Sequence, residues 1–456
     1  MSSPAAKSPF IAIACGGTGG HLFPGLAVAG QLQQHGCTVA LLISPKDVDQ
    51  QAVKSALERR APSRHETESV DQNAETVLGA PLEVFTLPAV ALQNRNYFSF
   101  ARSFWQSWRA AKKIFQARPP QAILAMGGFT SAPPVLAGNA FGAKTFLHES
   151  NTIPGKANRF LARFVDEAFV GFPEAGARLH AKKVSVTGTP VRPQFRWGEE
   201  PHQPALARQN EAATAREDAR PTKVFECRVA LGLDPDRPVV LVMGGSQGAS
   251  GLNDLVLSTL PLLTQKNWQW LHLTGANDFE KVKANYSARG VKAVVKPFLA
   301  EMDLALGAAT ASVSRSGASS LAEIAAMRLP SLLVPYPTAA DNHQYFNALA
   351  FEKTGAAHLF SQKTTPPKQV EELMIKMFAG LISKLVENSE ERAKMQAALA
   401  QWHAPNAAEQ IAEIILNTIK VGQASRLPGG CANADSSSAS PPDADGTLAL
   451  LCEQKF

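Results

Sequence analysis

The segment "GGTGGHLFPG", from Gly16 to Gly25, follows the apolar run Phe10–Cys15 and opens a helical pattern. A strand, a glycine turn and a helix in that order present backbone N–H groups that have no partner inside the helix. Chains hold phosphate at such places. A histidine at the mouth of the helix, His21, adds a group that can take a proton near neutral pH, or one that caps the helix and orders the loop. Three further segments have the same form: "MGGFTSAPP" from Met126, "GGSQGAS" from Gly244 and "SRSGASSLAE" from Ser314. One loop of this kind is explained by turn-making alone. Four in one chain point to a ligand with more than one phosphate-bearing part.

Several phosphate chemistries are disfavoured. The chain has no GxxxxGK[ST] motif, and "GTGGHL" from Gly17 does not match GxGxxG. No DxD pair closes an expected strand as a metal clamp. The five cysteines lack CxxC spacing, so neither a zinc site nor a disulfide framework is expected. No metal and no cofactor are expected. Diphosphate charge would then be met by backbone dipoles and by cations such as Arg192 and Arg315, although Arg315 reads equally as one half of a structural salt bridge. Glu149 could orient or replace His21 as a base, or could be a structural carboxylate bonded to local N–H groups. His148 beside it reads as packing, and His343 as either a ligand contact or a solvated loop residue.

Repeated strand–turn–helix units must position these loops. Expected strands are Phe10–Cys15, Val39–Ile43, Ala122–Met126, Thr145–His148, Ala168–Gly171 and Lys183–Val186, then Trp270–Thr274, Val291–Val295, Ala311–Ser314 and Ser331–Val334, with one more before Gly244. They are continuous apolar runs, as in parallel strands buried on both faces. The 456 residues, 45% of them hydrophobic, suit two doubly wound α/β domains facing a cleft. Expected boundaries are 1–195 for the first domain, joined by a last helix at about 405–420, a polar linker 196–223, a second domain 224–404 and a disordered tail 421–456. Glu58–Ala80 reads as a polar insertion. The N-terminus lacks a signal-peptide core, and no stretch approaches ~20 uninterrupted apolar residues.

Seven segments in order, "GGTGGHLFPGLAVA", "MGGFTSAPP", "HESNTIPGKANRFLAR", "VTGTPVR", "VMGGSQGASGLN", "SRSGASSLAEIAAMRLPSLLVPYP" and "ADNHQYFNA", resemble the MurG family of glycosyltransferases. The resemblance covers roughly Phe10–Arg192 and Pro238–Ile419. It implies the glycosyltransferase-B fold, two Rossmann-like domains. It also implies inverting transfer of N-acetylglucosamine from UDP-N-acetylglucosamine to the 4-hydroxyl of an undecaprenyl-pyrophosphoryl muramyl-pentapeptide in peptidoglycan synthesis. Site roles follow from the same resemblance. His21 is the base candidate, with Glu149 beside it. Leu299 meets uracil through its backbone. Ala318, Ser319, Ser320, Leu321, Ala322 and Glu323 cradle the α-phosphate and ribose. Gln344 reads sugar hydroxyls, and Ser246 lies near the phosphates. Asn151 and Arg192 match donor contacts across the cleft. Thr18, Gly19 and Gly20 face the diphosphate and reacting centre, and Gly127 and Gly128 form an acceptor loop.

Between Val84 and His148 there is no Asp or Glu, while Arg95, Arg102, Arg109, Lys112, Lys113, Arg118 and Lys144 all lie there. Within that span Tyr97, Ala101, Phe104, Trp105, Trp108, Ala111 and Phe115 recur at helical spacing. Pure core packing is one reading. An interface helix whose basic flank meets anionic lipid is the favoured one, with the protein peripheral on the cytoplasmic face of the cell membrane. No nucleic-acid partner is expected. Rival readings are another UDP-sugar transferase with a lipid acceptor, a sugar-nucleotide epimerase, and a non-catalytic sugar-nucleotide sensor.

Overall fold

The computed structural model describes residues 8–16, 19–45, 82–88, 97–195, 224–245, 248–362 and 368–424. The polar insertion, the linker and most of the tail lie outside them. The first sheet contains β1 (Phe10–Cys15), β2 (Thr38–Ile43), β3 (Leu82–Thr86), β4 (Ala122–Ala125), β5 (Lys144–Glu149), β6 (Glu167–Val170) and β7 (Val184–Val186). Its spatial order is β3-β2-β1-β4-β5-β6-β7. The second contains β8 (Val239–Met243), β9 (Gln269–Leu273), β10 (Ala293–Lys296), β11 (Ala311–Ser314), β12 (Ser331–Leu333) and β13 (His358–Leu359), ordered β10-β9-β8-β11-β12-β13. Neighbouring strands are parallel throughout both sheets. The chain therefore has two doubly wound α/β domains.

The central strands are the apolar runs. Every residue of β1, β2, β4, β6, β8 and β9 is buried. The sequence pattern overlooks β3 and β13. All four edge strands are only partly buried, but β7 and β10 keep short apolar runs, whereas β3 carries Glu83 in mid-strand and β13 is two residues long. The helices that bear on the site are α1 (Gly19–Gln34), α2 (Tyr97–Ala117), α3 (Lys156–Leu161), α4 (Ser250–Leu263), α5 (Ala318–Ala326), α6 (His343–Lys353) and α7 (Ala407–Ala424).

The chain crosses between the domains more than once. α7 returns to the first domain, where Ile411, Ala412 and Ile415 pack with Leu22, Val28 and Leu32 of α1. That helix runs on to Ala424, so residues 421–424, expected as tail, continue its last turn. In the other direction, Phe172 and Phe195 bury their rings in the core of the second domain. Phe172 stands 5.3 Å from the Trp402 ring, which stacks on Phe351 at 4.5 Å.

Candidate active site

In a doubly wound sheet the ligand crevice opens where strand order reverses, beyond the C-terminal ends of the two strands on either side. Those strands are β1 and β4 in the first sheet, β8 and β11 in the second. The four glycine loops follow these four strands. Sequence spacing alone could not reveal this, because β1 and β4 are separated by more than a hundred residues and become neighbours only through topology.

His21 sits in the first turn of α1, and its ring lies on the backbone of the β4 loop. A Cβ added to Gly127 would stand 2.7 Å from the His21 Cε1 and 2.8 Å from Nδ1. Gly127 also has φ +118°, a conformation that side chains disfavour. The glycine thus provides both the turn and the space for the imidazole. Gly128 follows, with Gly16 against its other side. Gly20 is exposed. Gly17, Thr18 and Ser246 lie outside the described residues.

Glu149 ends β5 and is 2% exposed. Its Oε1 accepts from the Asn151 backbone N–H at 2.9 Å and from Asn151 Nδ2 at 3.0 Å. Its Oε2 accepts from the Gly155 N–H and from Asn158 Nδ2, both at 2.9 Å. Four donors from its own loop fill the carboxylate. Of the two readings of Glu149, these bonds favour the structural carboxylate, which shapes the 150–158 segment and holds Asn151. His148 is likewise structural. Its Nε2 lies 2.9 Å from the Gly188 carbonyl and its Nδ1 3.2 Å from Ser150 Oγ. The carbonyl can only accept, so Nε2 carries the proton and Nδ1 accepts from the serine. Burial pushes this imidazole below the ordinary histidine range.

Arg192 and Glu323, expected on opposite walls, meet directly: Nη2 lies 3.4 Å from Oε1. The Arg192 guanidinium also covers the rings of Phe23 at 4.1 Å and Phe195 at 4.9 Å. Burial raises the Glu323 carboxyl pKa, and Arg192 opposes the rise. Glu323 lies on α5, whose N-cap is Gly317, so the first-turn N–H groups of Ala318, Ser319 and Ser320 lack intrahelical acceptors.

Arg315 is 5% exposed and pairs with no carboxylate among the described residues. Its Nη1 donates to the carbonyls of Val334 and Pro335 at 3.0 Å and to Gln362 Oε1 at 3.2 Å. Gln362 in turn donates to the Gly251 carbonyl at the start of α4. A cation therefore stands behind both glycine loops of the second sheet, lowered to about 10 by burial. Gln344 has its carbonyl end fixed by the Tyr336 N–H at 2.9 Å, so its NH₂ end is what remains to offer. The buried Leu299 follows β10. His343 bonds locally to the Ala340 carbonyl at 2.8 Å.

The walls touch at further points. Ser319 Oγ donates to the Gly20 carbonyl at 2.6 Å. In a regular helix that carbonyl would accept from residue 24, but Pro24 has no N–H. The proline inside α1 thus frees an acceptor that the second domain fills. Arg159 reaches Asp341 at 2.7 Å. Asn347 bonds to the Thr152 N–H across the cleft. Asn347 was missed in the sequence, where "ADNHQYFNA" drew attention to Gln344; nothing in one sequence separates a bridging amide from a ligand-reading one.

The basic span divides between core and surface. Ala111 and Phe115 are fully buried, and Phe104 and Trp108 pack partly against the core. That much of the expected lipid-facing stripe is core. Phe98 and Trp105 are exposed at 83% and 53%, and Arg109 covers the Trp105 ring at 4.7 Å. Arg118 is engaged with Glu83 at 2.9 Å. A second exposed group, Lys156, Arg159, Phe160, Arg163 and Phe164, surrounds α3 and was not anticipated. No helix among the described residues is long and apolar enough to cross a membrane.

Two family models match the chain: the glycosyltransferase family 28 N-terminal domain over residues 11–170 and the C-terminal domain over residues 239–411. Among curated relatives, a UDP-N-acetylglucosamine–N-acetylmuramyl-(pentapeptide) pyrophosphoryl-undecaprenol N-acetylglucosamine transferase of Mesorhizobium japonicum is 33% identical, covering 89% of this chain and 94% of the relative. A protein of the same name from Gloeobacter violaceus is 29% identical, covering 90% of this chain and 99% of its own length. Among solved structures, MurG of Acinetobacter baumannii aligns with a TM-score of 0.61 at 22% identity, over 90% of this chain and 99% of that one. The calicheamicin glycosyltransferase aligns with a TM-score of 0.54 at 14% identity, over 90% and 99%. The structural likenesses carry the fold; the curated relatives carry the family.

Proposed function

Since this chain belongs to glycosyltransferase family 28, and within it to the family of the N-acetylglucosamine transferases just described, we propose that it converts the undecaprenyl-pyrophosphoryl muramyl-pentapeptide to its N-acetylglucosaminyl product in peptidoglycan synthesis. The donor is UDP-N-acetylglucosamine and the acceptor atom is the muramyl 4-hydroxyl. The observation that carries the reading is the pairing of two phosphate-type crevices across one cleft, joined where Arg192 meets Glu323 and where Ser319 meets Gly20.

The second domain holds the donor. N–H groups at the start of α5 and the loop before α4 face the diphosphate, with Arg315 behind them. Glu323 accepts from the ribose hydroxyls. Gln344 and Asn151 read the sugar. His21 removes the proton from the acceptor hydroxyl as it attacks the anomeric carbon from the face opposite UDP, giving a β linkage from an α-linked donor. Its buried Nδ1 lies against Gly127, so Nε2 is the nitrogen assigned to the transfer. The leaving diphosphate gains charge, which oriented N–H groups and Arg192 stabilise.

The acceptor's diphosphate stands at headgroup level. The exposed aromatic and basic side chains of α2 and α3 suit peripheral attachment to the cytoplasmic face of the membrane. The test of the function is incubation with labelled UDP-N-acetylglucosamine and the lipid-linked muramyl-pentapeptide, followed by extraction. Label in the lipid phase supports the reading. Label that enters only other lipids, or none, overturns it.

A further inference from the structure

Asn347 lies on α6 of the second domain and is fully buried. Its single amide joins three segments. Oδ1 accepts from the Thr152 N–H at 2.9 Å and from Thr152 Oγ1 at 3.0 Å. Nδ2 donates to Asn151 Oδ1 at 3.0 Å and to the Ser316 carbonyl at 3.1 Å. A carboxamide offers two donors and two acceptor sites, and all are used. A saturated buried amide has one orientation, because turning it would set donor against donor and leave polar groups unpaired.

The partners are the loops that matter to the donor. Ser316 opens the glycine turn before α5, and its Oγ donates to the Gln344 carbonyl at 2.7 Å. Asn151 and Thr152 belong to the first domain. Asn151 is gripped from the other side by Glu149. The sequence Glu149–Asn151–Asn347–Ser316 is therefore a continuous hydrogen-bonded path from β5 of one domain to the phosphate-side turn of the other.

We propose that Asn347 is a positioning residue that makes cleft closure and presentation of Asn151 to the donor sugar one event. This rests on the reading that Asn151 meets that sugar. When the domains part, the amide loses three of its four bonds; when they close, those bonds set Asn151 in register with the turn at Ser316. An aspartate is the informative replacement. It keeps both acceptors for Thr152, but confronts Asn151 Oδ1 and the Ser316 carbonyl with further oxygens.

The experiment compares UDP-N-acetylglucosamine with UDP, both by calorimetry, for the full chain and for Asn347→Asp, Asn347→Ala, Asn151→Ala and the Asn151→Ala/Asn347→Ala pair. Each single variant should weaken UDP-N-acetylglucosamine by roughly tenfold or more while UDP changes by no more than about threefold. The pair should bind no worse than its weaker parent, since both substitutions break one device. Thr152→Val, which removes only one O–H, should show a smaller loss with the same selectivity; it serves as the test if the Asn347 variants do not fold. Equal loss of both ligands, additive losses in the pair, or an unaffected Asn347→Asp with a sensitive Asn151→Ala would overturn the proposal while leaving the Asn151 reading in place. An Asn151→Ala variant that binds UDP-N-acetylglucosamine normally removes that reading, and the proposal with it.

Discussion

Arg192 Nη2 lies 3.4 Å from Glu323 Oε1, with 8% and 13% of the two side chains exposed. Both residues are proposed to meet the donor, and they face one another across the cleft. Glu323→Ala should weaken UDP-N-acetylglucosamine roughly ten- to a hundredfold, because hydrogen bonds to a charged group are lost. Calorimetry on the folded variant reads this directly, and unchanged affinity would remove Glu323 from the ribose.

The same pair sets a pH dependence. Burial raises the Glu323 pKa and Arg192 offsets part of the rise. An acid whose folded pKa is raised costs stability above that pKa, and the cost is relieved as pH falls. Arg192→Met removes the offset. At neutral pH it should lower stability by about 3 kcal/mol, the lower end for breaking a buried pair. Acidification into the raised titration range should recover part of that loss relative to the parent. Thermal midpoints of both proteins across pH measure it; parallel curves would show that the two groups are uncoupled.

His21 and Gly127 should fail together. His21→Ala is expected to lower kcat by roughly 10²–10⁴ with donor binding nearly intact, as for loss of a general base. Gly127→Ala sets a methyl 2.7 Å from the imidazole and strains a backbone at φ +118°. It should reduce kcat comparably, and adding it to His21→Ala should cost much less than it costs alone. Full additivity in the steady-state rates would dissociate the glycine from the histidine.

Ser319 fills the carbonyl that Pro24 leaves without a helical donor. Ser319→Ala should slow turnover several-fold, about the worth of one net hydrogen bond, with no change in thermal midpoint, because the bond joins domains rather than holding either core. A drop in midpoint with unchanged turnover would make the contact structural.

Two buried histidines predict acid lability. Burial lowers the pKa of His148, and that of His272 to about 3. For a depressed base, stability is complete above the unfolded pKa of ~6.5 and is lost as pH falls below it, by about 1.4 kcal/mol per pH unit for each group until its folded pKa is reached. Denaturation midpoints between neutral pH and acid should fall accordingly. The slope should shrink in His272→Asn.

The strands were legible where both faces are buried, as in β1 and β8, since such strands are apolar throughout. The edge strands β7 and β10 kept apolar runs and were legible too, but β3 interrupts its run with Glu83 and β13, His358–Leu359, is too short to form one. The glycine loops were legible as turns, but their convergence depends on strand order. Glu149 shows the converse limit: in the sequence it reads equally as a base or a structural carboxylate, and the four local donors that favour the second are visible only in the fold. The stripe on α2 mixed core residues such as Phe115 with surface residues such as Trp105, because one helical face can begin in solvent and end in the core.

UDP release and label transfer can be followed in one reaction with UDP-N-acetylglucosamine and the lipid-linked muramyl-pentapeptide, in the parent chain and in His21→Ala. A transferase with His21 as its base forms equimolar UDP and lipid-bound N-acetylglucosamine in a β linkage, both strongly reduced in the variant. Donor binding with no UDP release, UDP release without lipid label, or an α-linked product would contradict this reading.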